Sequence, residues 1–136
     1  MPAGDAFSDR DLTEIGKEVR QIGEEAKVVF SVLVADPDDF PESGPDVRDL
    51  AEKAHAALGA RAHESVLILV APNARRVEIV MGTSLRGRLS DRDCALAALS
   101  MTSSFSGGDL AGGVLQGVRM LGQRTAVPRR LSGRMV

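Results

Sequence analysis

In the stretch from Glu64 to Gly82, ESVLILVAPNARRVEIVMG, apolar positions run on without polar alternation from Val66 to Ala71, as expected of a strand covered on both faces. Val77 to Met81 reads as a second strand, interrupted by one acid, Glu78. Between them Pro72-Asn73-Ala74-Arg75 carries turn chemistry, because proline presets φ and asparagine tolerates a left-handed backbone. The pair predicts a central antiparallel hairpin.

Around this hairpin the rhythm becomes helical. Leu12, Ile15, Val19, Ile22 and Ala26 recur at three- and four-residue steps, and Ser8 with Asp11 three residues later supplies a capping box at the start. Lys27 to Val34 follows as a strand, with Val28, Phe30, Val32 and Val34 on one face and Val29 and Leu33 on the other. After the loop ADPDDFPESGPD, Asp46 caps a helix predicted to run to Leu58, with Gly59 ending it. Strand, helix and strand in this order imply a right-handed crossover and parallel pairing.

Beyond the hairpin, Ser90-Asp91-Arg92-Asp93 opens a third helix whose inward stripe is Cys94, Ala98, Met101 and Phe105. Ser106-Gly107-Gly108 breaks it, and Asp109 caps a last helix carrying Leu110, Val114, Leu115, Val118 and Leu121. The prediction is an α/β fold: a three-layer α/β/α sandwich with a mixed sheet and about four helices. It comprises an N-terminal extension (1–7), one domain (8–124) and a basic disordered tail (125–136).

Composition narrows the function. The 136 residues are 43% hydrophobic and 26% charged, ordinary for a globular chain, with net charge −2. Four Phe and no Trp or Tyr leave no stacking platforms for single-stranded nucleic acid. One cysteine excludes an internal disulfide, and no apolar window approaches the roughly 18 residues of a membrane span, so the expected location is cytoplasmic.

Asp36, Asp38, Asp39, Glu42 and Asp46 follow the first strand, where open α/β sheets place ligands, and clustered oxygen donors suit Ca²⁺ or Mg²⁺. Set against this is a solvated acidic turn with one helix cap. Cys94, on the inward stripe of its helix, reads as a small buried hydrophobe, and His55 and His63 as surface residues without metal-ligand spacing. Arg86 and Arg88, around Gly87, are candidates to attract phosphates or an acidic partner, with solvated charge as the default reading. Arg129, Arg130 and Arg134 in the tail suggest at most a weak, salt-sensitive contact with an acidic surface.

Element order and particular residues together resemble the TPM domain, the acid-phosphatase-like domain of thylakoid-lumen and photosystem-repair proteins. Val66 to Val70, Arg75 to Val80, Gly82, Leu85, Leu89 and Asp91 match its central strands and the loop after them. Phe105, Gly108, Asp109, Gly113, Gly117 and Val118 match its last segment. The resemblance implies an α/β/α sandwich, Ca²⁺ binding and, for some members, weak acid-phosphatase activity, while others look like accessory factors for membrane complexes. Ser84 and Arg86 stand where the motif has glycine and an acid, and His63-Glu64-Ser65 replaces Asp-Asn-Gly. A guanidinium in place of a carboxylate makes a poorer cation site. The chain thus resembles a soluble, divergent bacterial branch.

The expected function is a non-catalytic binding or regulatory module for a protein or small ligand, with a crevice beyond the strand ends lined by Asp36, Asp38, Arg86 and Asp91. The alternative is a weak metal-dependent phosphatase, in which Asp36, Asp38 and Asp91 hold the ion and Arg86 binds phosphoryl oxygens.

Overall fold

The structure is a computed structural model in which residues 8–35, 47–72 and 75–132 are described. Its first helix, α1 (Asp9–Ala26), starts at Ser8, whose hydroxyl accepts the Asp11 N–H while the Asp11 carboxylate accepts the Ser8 N–H. This reciprocal pair satisfies two donors that a helix start leaves free. Lys27 ends α1 in a left-handed conformation, φ 59°, so strand β1 (Val29–Val34) begins later than the predicted Lys27.

Helix α2 (Val47–Ala56) stops before the expected Leu58, and a 3₁₀ turn at Gly59–Glu64 leads into strand β2 (Ser65–Ala71). Strand β3 (Arg76–Met81) follows; the left-handed residue described in its turn is Arg75, φ 53°. After a second 3₁₀ turn at Thr83–Leu85 come α3 (Asp91–Ser106), capped reciprocally by Ser90 and Asp93, and α4 (Leu110–Ser132). Asp109 Oδ1 accepts the Gly112 N–H at 3.0 Å, as its predicted capping role requires.

The sheet has the order β1-β2-β3, with β1 parallel and β3 antiparallel to β2. This is the mixed α/β architecture expected, with four α-helices among the described residues. On one face Phe30, Val66, Ile68, Val70, Val77 and Ile79 meet residues of α1, α3 and α4. On the other, Leu67, Leu69 and Ala71 meet Val47 and Ala51 of α2. The buried stripe of α3 is Cys94, Ala97 and Met101; Ala98, the expected member, is only half-buried.

The chain does not become irregular at Thr125. The helix α4 continues through Pro128 to Ser132, carrying Arg129 and Arg130, while Arg134 lies outside the described residues. Thr125 is itself buried, with its hydroxyl donating to the Gly122 carbonyl at 2.9 Å, so the helix is anchored there rather than released. A partner missed by sequence reading completes that anchor. Arg88 donates from Nε to the Thr125 carbonyl at 3.1 Å and from Nη2 to the carbonyl of Ala26, the last residue of α1. Since α1 has no basic residue in its own last turn, Arg88 supplies the cation that its negative end favours.

Two close approaches fix the packing. A Cβ on Gly117 would collide with the Met101 side chain, so α3 and α4 meet at a position only glycine fills without displacing a neighbour. Gly82 is more constrained, because its Cβ would strike the backbone carbonyls of Ala62 and His63, which have no rotamer to change.

Gly82→Ala is therefore expected to lower unfolding free energy by about 2 kcal/mol or more in urea titration, while Gly87→Ala, with open space around its Cβ, stays within about 0.5 kcal/mol of the parent. Arg88→Met should cost about 2 kcal/mol by the same measurement, since it removes two hydrogen bonds from a charged donor to part-buried carbonyls.

Candidate functional site: a recess along the free edge of β3

The register of β3 decides which of its backbone groups face away from the sheet. The Gly82 N–H donates to the Ser65 carbonyl at 2.9 Å. Antiparallel ladders alternate, so Leu67/Val80, Leu69/Glu78 and Ala71/Arg76 exchange hydrogen bonds, whereas Val77 and Ile79 turn their N–H and C=O outward. The Ile79 carbonyl accordingly accepts a bond from Arg48 Nη1 of α2 at 3.0 Å. Among the described residues none bonds to the Ile79 N–H or to either backbone group of Val77.

Beside this edge lies a recess of about 510 Å³. Glu78 and Ile79 form one wall, Arg48 reaches in from α2, Arg86 comes from the turn after β3, and Asp91, Cys94 and Ala95 come from the first turns of α3. Glu78 is neutralised twice: Arg48 Nη1 lies 3.5 Å from its Oε1 and Arg76 Nη2 lies 3.0 Å from its Oε2. Arg48 also pairs with Glu52 at 3.2 Å. Arg86 and Asp91 differ. Both are exposed on the recess, and among the described residues neither has an ion-pair partner.

Sequence reading puts Arg86 and Asp91 in one crevice with Asp36 and Asp38. The structure brings Arg86 and Asp91 together, beside the sheet rather than beyond its strand ends. Asp36, Asp38 and Asp39, the predicted metal ligands, lie outside the described residues. Their chain segment leaves β1 at Ala35, whose N–H donates to Val70 at one end of β2, whereas Gly82, which precedes Arg86, is bonded to Ser65 at the other. Those ends are roughly 17 Å apart at a strand's rise per residue. Arg48 was not anticipated; in sequence it is one base beside an acidic loop.

Of the remaining candidates, His55 is half-buried and its Nε2–H donates to the Ser65 carbonyl at 3.1 Å, so it braces the start of β2 instead of lying free. His63 Nδ1 makes a local bond to the Ala60 carbonyl at 2.9 Å. A second cavity of about 440 Å³ lies between α1 and β1. There Arg61 is already paired with Glu64 at 3.2 Å, so less of its charge is left to recognise a ligand.

The recess contains a thiol but no activated nucleophile. Burial first, then the Asp91 and Asp93 carboxylates, against an opposing Arg48, push the Cys94 thiol up to about 11. At neutral pH it is a neutral, packed side chain.

Since the folded value lies above that of an unfolded cysteine, about 8.5, native protein holds a proton that the unfolded chain has lost at intermediate pH. Stability should therefore be unaffected by this group below about pH 8.5 and fall as pH rises towards about 11, at no more than about 1.4 kcal/mol per pH unit. The difference in unfolding free energy between parent and Cys94→Ala, measured across that range, should show this slope, and native Cys94 should react with thiol reagents at neutral pH only as fast as the protein opens.

A family model described as a domain of unknown function, DUF5130, matches residues 2–122. The uncharacterised proteins Rv2468c and MT2543, from two strains of Mycobacterium tuberculosis, are each 33% identical over 76 residues, 54% of this chain and 46% of theirs. The chain thus spans about half the length of the curated relatives it matches. Among solved structures, BA42 from the psychrophilic bacterium Bizionia argentinensis superposes with a TM-score of 0.74 at 18% identity, covering 89% of this chain and 82% of that one. The N-terminal domain of cg2496 from Corynebacterium glutamicum gives 0.68 at 21% identity, covering 88% and 74%. At these identities the structural likeness speaks for the fold alone. The family match, which extends over nearly the whole sequence, shows that this chain belongs to the DUF5130 family.

Proposed function

We propose that the chain is a non-catalytic binding or regulatory module whose ligand, a protein segment or a small molecule, occupies the recess beside β3. One observation carries this reading. Arg86 and Asp91 present opposite charges, without ion-pair partners among the described residues, to a space of about 510 Å³, while the thiol beside them is held neutral. Opposite fixed charges orient a ligand, and among the described residues no activated nucleophile stands beside them.

A distant relationship to the TPM domain belongs to the same proposal, supported by the order of elements and by Gly82, Leu85, Leu89 and Asp91 after the hairpin. Its Ca²⁺ or Mg²⁺ chemistry finds less support. Among the described residues no three His, Cys, Asp or Glu side chains converge, and Asp91 beside Arg86 is not the set of six to eight oxygens that Ca²⁺ takes. The phosphatase reading therefore depends on Asp36 and Asp38, outside the described residues, joining Asp91. Among the described residues no helix is long and apolar enough to cross a membrane. A cytoplasmic setting is part of the proposal, consistent with a free, buried Cys94.

Incubation with p-nitrophenyl phosphate, with and without millimolar Ca²⁺, Mg²⁺ or Mn²⁺, should give no hydrolysis above that of heat-denatured protein. Turnover that Asp91→Asn lowers tenfold or more would overturn the non-catalytic reading. In a fragment screen followed by amide chemical shifts, binding should perturb Arg86, Asp91, Ala95 and Ala98 before any other cluster.

A further inference from the structure

The recess runs beside a strand whose outward hydrogen-bonding groups are largely unused, and this restricts the kind of ligand that can fill it. The N–H and C=O of Val77 and the N–H of Ile79 face it without partners among the described residues. A small rigid molecule would satisfy one or two of these groups. An extended backbone lying about 4.8 Å from β3 meets them at matched spacing.

The opposite wall leaves room for such a backbone. Where α3 borders the recess it presents Ala95 and Ala98, whose side chains end at Cβ. Arg48 occupies the Ile79 carbonyl from α2 with Nη1, the position that an incoming N–H would take. It has Glu52 and Glu78 to retreat to, at 3.2 and 3.5 Å, so its displacement leaves no charge unpaired.

We propose that the recess accepts an extended segment of a partner protein as an added strand on β3, with an acidic side chain directed at Arg86 and a basic one at Asp91. The inference rests on the recess being the ligand site and names the class of ligand. One residue of the segment exchanges both hydrogen bonds with Val77, and its second neighbour pairs with Ile79 as Arg48 withdraws. Side chains two positions apart share a face of the added strand, so one segment can meet both charges.

The test is selection of a displayed library of random heptapeptides against the full chain. Selected peptides should carry an acid and a base on one face, and Arg86→Glu and Ala95→Trp should each weaken them tenfold or more. Methylating alternate peptide amides should weaken binding to a similar degree, while methylating the intervening ones should not, and Val77 and Ile79 amide exchange should slow at least tenfold in the complex. Peptides that respond to both substitutions but tolerate methylation at every amide, with Val77 and Ile79 exchanging as before, would overturn strand addition and leave the recess as the ligand site. Peptides indifferent to both substitutions would overturn both readings. Recovery of no peptide would overturn strand addition alone, because the fragment screen tests the recess separately. A free chain that sediments as a dimer with Val77 and Ile79 amides already protected would make a second copy the occupant and overturn the proposed partner.

Discussion

Because β2 has a strand on each side and helices over both faces, every residue from Ser65 to Ala71 must find its partners inside the protein. A buried backbone group without a partner costs about as much as a lost hydrogen bond, so β2 can exist only where two ladders meet it. The parallel ladder requires a crossover, which puts α2 on one face; the antiparallel ladder requires a tight return, which makes β3 the outer strand. Among the described residues three strands are then enough, and the sheet they form keeps two edges. The recess beside β3 follows from that economy, since α2 and α3 cover the faces of the outer strand but not its side.

The same constraint explains the rigidity of the two ends of the hairpin region. Gly82 closes the ladder against Ser65 while lying against the carbonyls of Ala62 and His63, leaving no room for a side chain. A few residues on, Arg88 ties the end of α1 and the Thr125 carbonyl within α4 to the same turn. Arg86 thus stands on a segment held at both sides, and Asp91 follows it in the first turn of α3.

Local signals in the sequence were legible and distant ones were not. Both capped helix starts join residues only three positions apart, and the continuous apolar run of β2 marks a strand buried on both faces without further information. Arg48 gave no such sign, because its partner carbonyl is 31 residues away. Arg88 reaches 62 residues back to Ala26 and 37 forward to Thr125, so its reading as solvated charge missed the two contacts that define it. The exchange of Ala98 for Ala97 on the buried stripe of α3 has a different cause. Steps of three and four residues straddle the 3.6-residue turn, and which of them faces inward depends on how the helix is rotated against β3. Arg86 and Asp91 were singled out in the sequence, but the recess that both border was not, since its direction depends on β3 running antiparallel.

The two edges of the sheet are managed differently, and the difference bears on recognition. On β1 the sequence VFSVLV carries no charge, and Leu33 is 44% exposed. On β3 the side chains of Arg76 and Glu78 stand along the strand, Arg48 is bonded to its outward carbonyl, and Arg86 and Asp91 flank the approach. Charges along an edge discourage unselective pairing, because an arriving apolar strand would have to desolvate them without compensation. For a segment that brings opposite charges in the right order, the same groups become favourable contacts. The residues that keep β3 from pairing with any strand are therefore those suited to selecting one.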